Sequence, residues 1–119
     1  MTATRLQVQA FLGKLSRIDT EAIEISLRKK TSDFLAEMEM EKEDVIPRLL
    51  GLTVGDYSYG PSLSDWPQGG DVWIFGDVCK GRLVYVKLCI AKAPPGHSMV
   101  CMSYHAPEQP MRFPYANKK

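Results

Sequence analysis

The sequence predicts an α+β domain, with N-terminal helices packed on one face of a small antiparallel β-sheet. Two observations predict it. Up to about residue 50, apolar residues recur at helical spacing. After residue 71 they alternate one-in-two, in segments joined by short Gly- or Pro-containing links, as in an antiparallel meander. Helices followed by such strands bury their apolar stripes against one sheet face. The 119 residues make one predicted domain, residues 1–119.

The elements follow in order. Val8, Phe11, Leu12 and Leu15 form the apolar stripe of a first helix. Ile23, Ile25 and Leu27 alternate with Glu24, Ser26 and Arg28, which suits a short strand, although Glu21 and Ala22 suit a helix equally. Arg28-Lys29-Lys30 precedes Thr31 and Ser32, the candidate N-caps of a second helix striped by Phe34, Leu35 and Met38. Val45, Ile46, Leu49 and Leu50 mark a third helix, with Pro47 expected in its first turn and Gly51 at its end. Residues 53–70 carry Gly55, Gly60, Pro61, Pro67, Gly69 and Gly70 and read as a long loop, a feature that often serves function. Three strands then follow, Asp71 to Phe75, Arg82 to Ala91 and Ser98 to Tyr104. Gly76 to Gly81 and Pro94-Pro95-Gly96 are the predicted turns.

Composition narrows the function classes. Lys plus Arg is 15 and Asp plus Glu is 14, with 45% apolar and 24% charged residues. This argues against disordered and collagen-like chains, and no apolar run approaches the roughly 20 residues that span a membrane. There is no strong basic excess to announce a nucleic-acid partner. Cys79, Cys89 and Cys101 form no CxxC pair. An odd count without an apolar leader points to reduced thiols and a cytoplasmic protein.

Strand alternation then selects one face. Val84, Val86, Leu88 and Ile90 face the helices, so Tyr85, Lys87 and Cys89 face away. On the last strand Val100, Met102 and Tyr104 share one face, and Cys101, Ser103 and His105 the other. Aligning the apolar faces gathers Tyr85, Lys87, Ser103 and His105 on the uncovered side. Trp73 and Phe75 are expected to join them, with Val72 and Ile74 inward. Imidazole titrates near neutral pH, a lysine stabilises developing anionic charge, and an aromatic ring stacks on an unpaired base. These are the parts of an RNA-cleaving site. The plainer alternative is a solvated sheet face that alternates polar with core residues. His97 falls in the Pro-Pro-Gly turn. His97, Cys101 and His105 are spaced by four, but each such step spans about 13 Å in a strand, too far for one metal ion. Arg28-Lys29-Lys30 reads as a solvated run, or as a phosphate contact if it reaches the sheet rim.

As an ordered set, LGLTVGDYSYGP, DVWIFG, LVYVKL, the C-M-S-Y-H strand end and PMRFPY resemble the motility quorum-sensing regulator toxins (MqsR-like toxins of type II toxin–antitoxin systems). The resemblance runs from Leu50 to Tyr115, and Arg28-Lys29 ahead of a helix fits it too. It implies a RelE-like ribonuclease fold. It also implies endonucleolytic cleavage of single-stranded mRNA by 2′-hydroxyl attack, leaving a 2′,3′-cyclic phosphate. No metal and no cofactor take part, no membrane is involved, and a cognate antitoxin protein inhibits the toxin. Tyr85 matches a strand tyrosine of the family's active site, and Lys87 lies in the same segment. His105 stands where the best-known branch carries a catalytic lysine. Tyr57 falls in a loop that holds further active-site residues.

The expected roles are therefore His105 as general acid or base, Tyr85 orienting the phosphate, and Lys87 stabilising charge. Arg28, Tyr57 and Trp73 are the expected substrate contacts. Two departures stand out. Ser58 and Tyr59 occupy the region of a loop lysine in that branch, and Ile74 replaces a glutamine after the tryptophan. The alternative function is a non-catalytic protein- or RNA-binding module of the same fold.

Overall fold

A computed structural model describes residues 2–63, 70–93 and 96–116. The fold is α+β. Helices α1 (Arg5–Ser16), α2 (Lys29–Glu37) and α3 (Lys42–Leu50) accompany strands β1 (Ile23–Ile25), β2 (Tyr57–Leu63), β3 (Asp71–Cys79), β4 (Arg82–Ala93) and β5 (Gly96–His105). The strands form one sheet in the order β1-β5-β4-β3-β2. All neighbours are antiparallel except β1, which runs parallel to β5, so the sheet is mixed.

Local chemistry accounts for the helices. Thr4 and Gln7 close a reciprocal capping box on α1, whose Val8, Phe11 and Leu15 are buried. A second box, Glu41 with Asp44, starts α3 at Lys42. That start is earlier than expected, so Pro47 lies inside α3 and not in its first turn. Gly51 ends the helix as expected. The basic triplet also moves: Arg28 is the N-cap of α2, and Lys29 and Lys30 are its first residues. Thr31 is not a cap. It is buried in the helix, and its hydroxyl accepts the Tyr104 amide at 3.1 Å.

One core lies between the helices and the sheet. Val8, Phe11 and Leu15 of α1, Phe34 and Leu35 of α2, and Val45 and Leu49 of α3 meet Phe75, Val84, Val86, Leu88, Cys101 and Tyr104. Asp77 also turns to this side. It accepts from Arg48 through two nitrogens at 2.9 and 3.0 Å and from the Tyr104 hydroxyl at 2.8 Å.

The sheet departs from expectation at four points. The expected loop holds a strand, β2, whose register shifts around Gly60. Gly60 has φ +111°, and a Cβ there would meet the Val72 carbonyl oxygen at 2.6 Å. A Gly-Pro pair reads as a loop in sequence but fits a bulged edge strand. The rest of that loop, residues 64–69, lies outside the described residues, as do Pro94 and Pro95. The expected turn from Gly76 shrinks to Lys80-Gly81, both at positive φ, the pair that a tight hairpin uses.

The third departure is the bulge in β5 at Met102, where Lys87 pairs Ser103 but Leu88 pairs Cys101. Tyr104 and Cys101 therefore face the helices, while Val100 and Met102 face away. The fourth is in β3. Trp73 and Phe75 turn inward onto Phe11, with ring centroids 4.5 and 5.7 Å apart, and Val72 and Ile74 turn outward. No helix among the described residues is long and apolar enough to cross a membrane.

Candidate active site

The uncovered face carries four polar side chains on two adjacent rungs. Tyr85 pairs with His105, and Lys87 with Ser103. Paired residues share a face, and the bulge at Met102 lies on the other side of Ser103, so it leaves this set together. The rings of Tyr85 and His105 stack at 5.4 Å with 25° between planes. These four expected neighbours are thus brought into one cleft of about 1040 Å³.

Two segments raise walls around them. One is the start of α2, with Arg28, Lys29 and Lys30. Three cations at a helix N-terminus oppose the helix dipole, a cost that a bound anion would offset. The other wall is the segment after β5, which contributes Glu108, Met111 and Arg112. It is pinned at its end: Tyr115 stacks on Tyr57 at 5.9 Å and donates to the Ala3 carbonyl. Phe113 lies over Gly76, where a Cβ would come within 2.5 Å of its ring.

The cleft concentrates charge that the whole chain does not show. Arg28, Lys29, Lys30, Lys87 and Arg112 line it, against the single acid Glu108. Two of the five cations are engaged, Lys29 with Asp33 at 2.9 Å and Lys30 with Glu108. Among the described residues, no carboxylate lies within ion-pair distance of Arg28, Lys87 or Arg112.

Hydrogen bonding defines the acid–base states. His105 Nδ1 lies 2.8 Å from the Ala106 carbonyl oxygen. A carbonyl only accepts, so Nδ1 carries the proton and Nε2 is the basic nitrogen of the neutral ring. Burial raises the Tyr85 pKa above its ordinary value, and the Glu108 charge adds to this. Tyr85 is therefore a phenol donor at neutral pH. Glu108 is held below the usual carboxylate range, chiefly by its hydrogen bond to Lys30. Among the described residues, no group of three His, Cys, Asp or Glu is arranged to hold a metal ion. No family model, no curated protein and no solved structure matches this chain.

The remaining expected contacts divide. Arg28 lines the cleft. Tyr57 does not: it is fully buried, accepts the Ala3 amide at 2.7 Å and donates to the Gly60 carbonyl. Trp73 does not either, because β3 turns it to the helix side beside Phe11, where it lines a second depression with His97.

Sequence reading missed the apolar floor of Ile74, Met102 and Met111 and the cation Arg112, whereas the Arg28-Lys29-Lys30 run does reach the cleft. The Met102 bulge has no sequence signature. The wall segment did have a signal, the PMRFPY run, whose prolines favour an extended chain.

Proposed function

We propose that this protein is a toxin-type endoribonuclease of RelE-like fold that cleaves single-stranded mRNA without a metal or cofactor. The observation that carries the reading is the Tyr85–His105 stack beside Lys87 inside a cleft rich in unpaired cations. A polyanion with a reacting phosphate needs that combination: cations for the backbone, a base for the 2′-hydroxyl, and donors for the phosphoryl oxygens.

In the proposed reaction His105 Nε2 takes the 2′-hydroxyl proton while O2′ attacks phosphorus. The P–O5′ bond breaks and its electron pair goes to O5′, which takes a proton from water. The imidazolium then returns its proton to the hydroxide. The products are a 2′,3′-cyclic phosphate and a 5′-hydroxyl. Tyr85 donates to a non-bridging oxygen, and Lys87 balances the charge gained in the transition state. Arg28, with Arg112 opposite, holds neighbouring phosphates. The MqsR-like resemblance supports the same reading and adds an antitoxin protein as inhibitor and the cytoplasm as its place of action.

The test is purified protein on a panel of unstructured RNAs in the presence of EDTA. The reading expects new ends bearing 2′,3′-cyclic phosphate. Intact RNA with retained binding would favour the non-catalytic module.

A further inference from the structure

We propose that Tyr59 is the stacking platform for an unpaired nucleobase adjacent to the phosphate at Lys87; this rests on the ribonuclease reading above. The inference starts from the backbone of β2. Tyr57 and Tyr59 are two residues apart and would share a face in a regular strand. They do not, because the register shifts between them: Tyr57 pairs with Phe75 on the helix side and Tyr59 with Ile74 on the open side. A bulge that turns one side chain into a cleft is a common device at binding sites. Gly60 locks it, since its close approach to Val72 excludes a side chain.

The outcome is an aromatic ring left 49% exposed inside the cleft, while Tyr57 and Tyr104 are fully buried. Tyr59, Ile74, Lys87 and Ser103 occupy successive strands on one rung. With strands about 4.8 Å apart, Tyr59 stands two strands, about 10 Å, from Lys87. Between and beside them the floor is apolar, with Ile74 and Met102 buried. The cleft thus sets an exposed ring two strands away from Lys87, over an apolar floor. A nucleotide has the same division, phosphate at one end and a π-face at the other. An acidic peptide would engage the cations but has no use for the ring.

The test uses a fully 2′-O-methylated oligonucleotide, which binds but lacks the attacking hydroxyl, with affinity read by fluorescence anisotropy over a salt series. Tyr59→Ala is expected to weaken binding about 5- to 150-fold, the range for one base–aromatic stack. The dependence on salt should not change, because no charge is removed. Tyr59→Phe should bind as wild type does. On wild type, an oligonucleotide with one abasic position should show the same loss, and Tyr59→Ala should lose nothing more on it.

Wild-type affinity in Tyr59→Ala, with RNA still cut, overturns this inference and leaves the ribonuclease reading standing. So does a loss accompanied by a changed salt slope, which would mean the cations had moved. Absence of RNA binding by the wild type, with tight binding of a polyglutamate peptide, overturns both. The abasic arm decides the matter even if Tyr59→Ala folds poorly.

Discussion

Replacing Asp77 by alanine disconnects three elements at once. Its carboxylate accepts the Tyr104 hydroxyl of β5 at 2.8 Å and two nitrogens of Arg48 from α3. Tyr104 is fully buried, so its hydroxyl would lose its carboxylate acceptor. An orphaned buried donor costs about 1–3 kcal/mol. The Arg48 pair adds less, because that side chain is 41% exposed and can turn to solvent; pairs of this kind contribute about 0.2–1 kcal/mol. Asp77→Ala should therefore lose about 2–3 kcal/mol in urea unfolding, a fall in Tm of roughly 10 °C for a chain this size. Combining it with Tyr104→Phe removes the orphaned group, so the double variant should lose at least about 1 kcal/mol less than the sum of the singles. A loss below about 0.5 kcal/mol, or strictly additive singles, would refute the reasoning.

Three further outcomes follow from other parts of the fold. Burial pushes the Cys101 thiol up to about 12 from an ordinary value of 9.0. The folded form thus holds its proton more tightly than the unfolded one, and stability is full below about pH 9 and falls as pH rises from 9 to 12, by at most about 1.4 kcal/mol per pH unit; a Cys101→Ala variant should show a shallower alkaline decline in urea midpoint, and an identical decline contradicts the assignment. Gly76→Ala drives a methyl to within 2.5 Å of Phe113, so the wall after β5 should lift, costing about 1–3 kcal/mol and exposing residues 106–116 to limited proteolysis; an unchanged digestion pattern speaks against that packing. Glu108→Gln releases Lys30 from its ion pair, and if one more phosphate is then neutralised the log–log salt slope of RNA binding should steepen by about 0.7, whereas Lys87→Met should flatten it by the same amount.

Much of the site was legible because strand alternation is a strict period of two. Tyr85 and Lys87 follow it without interruption. Ser103, Tyr104 and His105 came out on the correct faces, although those of Val100, Met102 and Cys101 were misread. The reason is the Met102 bulge, which inverts the alternation between Cys101 and Ser103. Bulges leave no periodic trace, and the same failure hid the turning of Tyr59 away from Tyr57. Trp73 and Phe75 were misassigned for a different reason. Residues 72–75 of that strand are apolar on both faces, so their pattern alone cannot choose the core face, and packing on Phe11 decides. The charge of the cleft was illegible from a net charge of +1. Its cations come from α2, β4 and the segment after β5, far apart in sequence and joined only by the fold.

The central claim is that His105 acts as a base on RNA. The most direct test is induced expression of wild type and His105→Ala in a bacterial host, with both proteins shown to be folded and soluble, and mapping of cellular RNA 5′ ends. The account predicts growth arrest and new 5′-hydroxyl ends with wild type and neither with His105→Ala. Equal cutting by both, or no new ends from either, would contradict it.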